Sequence, residues 1–178
     1  MAPVSRTKGH ELLLGEWACL GILYAAPAHG FAIAARLKPS GDIGRVWSLT
    51  RPLTYRSLDL LTERGYIHAI GEERGIAGGT RTILAATRAG RAQLRRWLQT
   101  PVVHLRDLRS ELLLKLVIAA NCGIDVAEML AAQHSHIAEL AAGLDAQVAT
   151  ADPADAVAIW RSESAHAALR FLDRVRSI

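Results

Sequence analysis

The segment GEERGIAGG, at residues 71–79, most constrains this chain, because it separates two short strand-like runs, Tyr66-Ile67-His68-Ala69-Ile70 and residues 80–85. Glycines at 71, 75, 78 and 79 among charged residues suit a long hairpin tip. A glycine-rich loop that cradles phosphate opens directly into a helix. Here a strand-like run follows, so the segment reads as a projecting β-hairpin.

Three helical patterns precede it. Residues 11–26 carry Leu13, Trp17, Leu20 and Tyr24 at helical spacing until Pro27 ends the pattern. A short helix follows His29 and Gly30, carrying Phe31, Ile33, Ala34 and Leu37 before Pro39, Ser40 and Gly41 break it. Thr50 is the expected N-cap of a third helix, with Pro52 in the first turn, where a missing N–H costs nothing, and Gly65 as its stop. At about 100° per residue, Leu53, Leu58, Leu60 and Leu61 share one arc and Arg51, Tyr55, Arg56, Asp59 and Thr62 the other. One face is expected to pack and the other to meet a partner.

Three helices and then a two-stranded hairpin is the order of a winged helix-turn-helix. In that arrangement the third helix enters the major groove of DNA, about 12 Å wide, and residues near its N-terminus reach base edges. The candidates are Arg51, Thr54, Tyr55 and Arg56, with Ser48 and Thr50 beside the positive helix end for a phosphate, and Arg74 and Arg81 of the hairpin for neighbouring backbone. Charge agrees with this placement. Residues 1–106 hold 15 Lys and Arg against 7 Asp and Glu, while residues 107–178 hold 6 against 10. A basic module joined to a mildly acidic one suggests a polyanion-binding part and a separate part for self-association or ligand sensing.

After the hairpin, Thr87 is placed as the cap of a fourth helix, whose arginines at 88, 91, 95 and 96 surround a stripe of Leu94, Trp97 and Leu98. A helix over residues 108–122, apolar almost all round, is stopped by Gly123. Ala127, Leu130, His134, Ile137, Ala141, Leu144 and Val148 then alternate spacings of three and four, a heptad seam that needs a facing helix. Residues 153–176 offer one through Trp160, Ala167, Phe171, Leu172 and Val175. Periodicity leaves open whether the seam closes within one chain or between two. As a dimer contact it would use Leu130, His134, Ile137, Ala141, Leu144, Trp160 and Phe171. The expected fold is thus mainly α, with a winged helix-turn-helix domain over residues 10–100 and a C-terminal helical dimerisation domain over residues 101–178.

The stretches LLGEWACLGILYAAPAHGFAIAARL, SLTRPLTYRSLDLLTERGYI, GGTRTILAATRAGRAQLRRWL and PVVHLRDLRSELLLKL, taken in order, resemble the PadR family of transcription regulators over about residues 12–116. The remainder looks like the long helical C-terminal domain of one subgroup. The resemblance implies Tyr55 on the recognition helix and a homodimer joined through C-terminal helices. It further implies a regulator, usually a repressor, that a small molecule releases from duplex operator DNA. The turn GDIGRVWSL and Pro52 depart from the family pattern, so individual base contacts are not carried over.

Other classes find less support. No HExxH, Walker loop or nucleophile elbow is present, so neither an enzyme nor a cofactor is expected. His134 and His136, two apart, face different sides of a helix, so no metal site is expected. Cys19 and Cys122 lack paired spacing and, with no export signal, suggest a reducing cytoplasm. The longest apolar stretch, residues 112–122, contains Lys115 and is too short for a bilayer about 30 Å thick, so no membrane partner is expected. Trp17, Trp97 and Trp160 read as core residues, or as the lining of an effector pocket between the winged domain and the C-terminal helices. The rival function is a protein-interaction module, in which the basic face is incidental.

Overall fold

Pro27 ends helix α1, Leu14–Ala25, on which the N-terminal half of the protein is assembled. The computed structural model describes residues 12–74 and 79–176, so the expected helix start at Glu11 and the tip glycines Gly75 and Gly78 lie outside the described residues. Packing divides the chain into two units, Met1–Gly90 and Arg91–Ile178. The division falls inside the fourth helix, ten residues before the boundary expected from sequence.

Helix α1 is buried on every side, with Ala18, Cys19, Leu20 and Leu23 fully enclosed. Leu13, expected on its packed stripe, is 71% exposed, because it sits at the N-cap before the helix begins. The Leu13 N–H donates to Glu16 Oε2 at 3.1 Å, and Arg64 Nη1 reaches the same carboxylate at 3.6 Å. Burial and the neighbouring Glu16 push the Cys19 thiol up to about 12, which leaves it an inert core residue.

Two residues, Ala28–His29, form strand β1, and Gly30–Arg36 forms helix α2. His29 caps that helix: its Nδ1 accepts the Ala32 N–H at 3.1 Å. Helix α3 covers Arg51–Glu63, with Pro52 in its first turn. Thr50 occupies the cap position, but its side chain makes no capping bond; Pro52 lacks one of the N–H groups such a cap uses. Gly65, at φ +69°, turns the chain out of α3 without a Cβ penalty.

The hairpin consists of β2, Ile67–Arg74, and β3, Thr80–Ala86, paired antiparallel from Ile67↔Ala86 to Arg74↔Thr80. A register shift between Ala69 and Gly71 lets β2 continue into the glycine-rich segment, four residues beyond its expected end. Strand β1 pairs with β3 through Ala28↔Leu84 and His29↔Ile83, giving a three-stranded sheet of order β1-β3-β2. Helix α4, Arg88–Leu98, begins at Thr87, whose hydroxyl accepts the Gly90 N–H at 3.0 Å and donates to the Gly65 carbonyl at 2.7 Å.

The second unit contains short 3-10 and π turns, Leu105–Asp107 and Leu108–Leu112, then α5, Leu113–Cys122, α6, Ala127–Thr150, and α7, Ala156–Arg176. Helices α6 and α7 pack as an antiparallel hairpin. The heptad seam therefore closes within one chain: Leu130, Ile137, Ala141 and Leu144 are buried with Ala165 and Leu172. Those four residues, also expected as an interchain contact, spend their apolar surface on α7 in this chain. Each buried Leu or Ile contributes about 1.5–3 kcal/mol relative to exposure.

Polar pairs set the register of this hairpin. His134 Nε2 lies 3.1 Å from Asp173, and Asp145 accepts from the Ser162 hydroxyl at 2.6 Å and meets His166 Nε2 at 3.0 Å. The Ser162 and His166 bonds hold the Asp145 carboxyl below the usual carboxylate range. Lys115, fully buried, donates to the Thr100 carbonyl at 2.6 Å, pairs with Glu111 at 2.9 Å and lies 4.9 Å from the centre of the Trp97 ring. Gln133, also fully buried, accepts the Val102 N–H at 2.6 Å and donates to the Val102 carbonyl at 3.0 Å.

Candidate nucleic-acid interface

Helix α3 presents Arg51, Leu53, Tyr55, Arg56 and Asp59 to solvent and buries Thr54, Ser57, Leu58 and Leu61. Two expectations, Thr54 as a base-edge residue and Leu53 on the packed arc, differ from this phase. Thr54 is fully buried, its hydroxyl donating to the Thr50 carbonyl at 3.0 Å, so it cannot reach a groove. Leu53 is 46% exposed instead of packed. The leucines alone misplace the arc because the contact with α1 is close. A Cβ on Gly15 would lie 3.5 Å from Ser57 Oγ, and small polar residues fill that space better than leucine.

The exposed face is organised around two aromatic rings. Phe31, in the first turn of α2, is half-exposed, and Tyr55 stands beside it on α3. The Arg51 guanidinium lies 5.8 Å from the Phe31 ring centre and 5.7 Å from that of Tyr55. From β3, Arg81 places its guanidinium 5.5 Å from the Phe31 centre. Cation–π attraction holds both groups in place while leaving N–H donors available. Among the described residues, neither Arg51 nor Arg81 is paired with a carboxylate. Together they border a hollow of about 510 Å³ with His29, Asp59 and Thr82. A second hollow, of about 450 Å³, shares Phe31 and Arg51 and adds Lys38, Ser48 and Thr50.

The structure thus brings Arg51, Tyr55 and Arg81 together and places Ser48 and Thr50 at the adjoining hollow. Arg56 is exposed on the same helix, and Arg74 is exposed at the end of β2. Phe31 and His29 were missed by sequence reasoning. Phe31 shares one apolar pattern with Ile33, Ala34 and Leu37, but only those three are buried. A histidine directly before a helix start was the available signal for His29, as a cap with a second ring nitrogen to spare.

Trp17 is buried in the first unit and Trp97 in the second, whereas Trp160 is 72% exposed. Trp160 lines a hollow of about 660 Å³ in the second unit, with Val103, Arg106, Arg109 and Leu144. Among the described residues no group of three His, Cys, Asp or Glu side chains is arranged to hold a metal. None of the described helices is long and apolar enough to cross a membrane.

Helix, strand, two helices and a hairpin whose second strand pairs back to β1 define a winged helix-turn-helix domain, here followed by a helical unit. No protein-family model matches the chain, and no curated protein matches it in sequence. Among solved structures it is similar to Bacillus subtilis PadR in complex with operator DNA, at 17% identity and a TM-score of 0.47, over 91% of this chain and 96% of that one. It is also similar to a crystal structure of Bacillus subtilis PadR, at 18% identity and a TM-score of 0.42, over 92% and 93% of the two chains. A third similar structure is smu.1604c from Streptococcus mutans UA159, at 15% identity and a TM-score of 0.45, covering 93% of this chain and all of that one.

Proposed function

We propose that this protein is a transcription regulator that binds duplex DNA, with α3 in the major groove and the β2–β3 hairpin over the adjoining backbone. The observation that carries this reading is the pair of uncompensated guanidiniums, Arg51 and Arg81, held against Phe31 and Tyr55 on the open side of α3. Fixed cations without carboxylate partners are suited to a polyanion, and a protruding helix of 13 residues matches a groove that admits one helix. Arg51, Tyr55 and Arg56 are the residues for base edges; Ser48, Thr50, Arg74 and Arg81 serve the phosphates.

The experiment is duplex binding by the full chain, followed by fluorescence anisotropy across a salt series. Affinity falls steeply with salt, with a log–log slope of about −0.9 for each phosphate neutralised. Arg51→Ala and Tyr55→Ala lose DNA retention with the fold intact. Absence of binding to every duplex at low salt overturns the assignment.

The finer reading is a homodimeric repressor. Its contact uses the exposed Val157 and Trp160 of α7, three apart and so on one face of the helix, since an apolar face left in water at one helix end is what self-association covers. In a twofold dimer the recognition helices stand about 34 Å apart, one turn of DNA. The hollow beside Trp160, bordered by Arg106 and Arg109, is the place in the second unit suited to a small effector.

A further inference from the structure

We propose that His29 and Arg81 form a site for a single phosphodiester of the duplex backbone, a deepening of the function proposed above that rests on it. The chemistry begins with the tautomer of His29. Its Nδ1 accepts the Ala32 N–H, so the ring proton sits on Nε2. Arg81 Nη1 faces that same Nε2 at 3.4 Å. A guanidinium has donors only. Two donors therefore meet at one point, and neither can accept from the other.

Both groups are held in this opposition. The backbone of His29 pairs with Ile83 on β3, two residues from Arg81, and its ring lies 6.4 Å from the Phe31 ring at an interplanar angle of 29°. Arg81 rests on the same Phe31 ring. Glu73, opposite Arg81 in the hairpin register, forms no ion pair with it. What satisfies two convergent donors is an anion with oxygens in several directions. The site opens on the hollow that Arg51 and Tyr55 border, where a helix lying in the major groove has the phosphate wall beside it. Phe31 is thus a positioning residue, carrying Arg81 on its face and His29 at its side.

The test uses the full chain and two variants chosen to keep the fold. His29→Asn retains a capping oxygen for Ala32 but loses the reach of Nε2; Arg81→Gln keeps length and polarity without charge. Unfolding curves of both are compared with the unchanged chain before binding is read. Arg81→Gln weakens duplex binding on the order of ten-fold at low salt and reduces the salt slope by about 0.9. His29→Asn weakens binding in the unchanged chain and much less in the Arg81→Gln background, because both arms hold one phosphate. A scan of duplexes with single neutral methylphosphonates finds one position whose penalty disappears in both variants.

Wild-type affinity and slope in both variants overturn the site and leave the DNA-binding function standing. Failure of the unchanged chain to bind any duplex removes that function and this site with it. Inorganic phosphate is the second probe, read by the NMR shift of the His29 ring nitrogens. A shift with phosphate, but no methylphosphonate position sensitive to His29 and Arg81, assigns the pair to a free anion and overturns the backbone as its source.

Discussion

The ring of Tyr55 lies against Gly30: a Cβ placed on residue 30 would stand 2.8 Å from Cε1 and 3.0 Å from the phenolic oxygen. The start of α2 is therefore the floor on which the α3 tyrosine rests. Gly30→Ala forces the ring outward and lowers duplex affinity by roughly five-fold, about 1 kcal/mol. Thermal unfolding changes little, because alanine is the better helix former. Unchanged affinity in an anisotropy titration contradicts the role given to Tyr55.

Lys115 holds the second unit through three partners, the Thr100 carbonyl, Glu111 and the Trp97 ring. Lys115→Met keeps most of the volume but strands a carbonyl and a carboxylate. The expected loss is about 2–3 kcal/mol in urea unfolding. A loss under about 0.5 kcal/mol shows that water replaces the ammonium.

Gln133 gives the Val102 peptide the two hydrogen bonds that a neighbouring strand would provide. Gln133→Leu fits the apolar surroundings yet leaves a buried N–H and C=O unpaired, at a cost of about 2–4 kcal/mol. Gln133→Glu retains the acceptor and loses the donor, so denaturant midpoints should rank the unchanged chain above it. Equal midpoints for all three sink this account.

Burial raises the Cys19 thiol to about 12, above the unfolded value of about 8.5. The folded value being the higher, this contribution to stability is fully present below about pH 8.5 and is lost as pH rises towards 12. At pH 8, iodoacetamide leaves Cys19 unmodified in the native chain and reacts with it after denaturation. Half-buried Cys122 reacts ahead of it. Peptide mapping by mass spectrometry reads the order.

Trp160 and Leu130 separate assembly from folding. Trp160 is exposed and Leu130 is 7% exposed inside the α6–α7 core. Trp160→Asp should yield folded monomers in light scattering. Leu130→Asp should unfold the second unit outright, because a charge enters a core with no partner. A dimer that survives Trp160→Asp moves the contact elsewhere.

The long pattern from Ala127 to Val148 was legible because seven positions alternate spacings of three and four without a break, and helix α6 follows it. Gly65 and Gly123 were equally plain as stops, and both adopt positive φ. Strand β1 was not legible, since two residues after a proline show no period; only the distant β3 makes them a strand. The phase of α3 failed at Leu53, and Thr54 was expected outward, for a related reason. Which residues turn inward depends on how closely α1 approaches, and Gly15 sets that approach from elsewhere in the chain. Lys115 stood in an apolar run as an interruption, yet its charge is answered by Glu111 and by a carbonyl 15 residues away.

The short bridge Ala28–His29 has a consequence larger than its length. By binding β3 it joins the entrance of α2, against which Tyr55 of α3 rests, to the hairpin, so the helix and the strand of the proposed interface are tied together by the fold itself. Their spacing is fixed by folding, and little ordering remains for association to impose. Under the proposed function, a duplex whose grooves do not match that spacing has to deform itself, and the stiffness of DNA then enters the selection of its site.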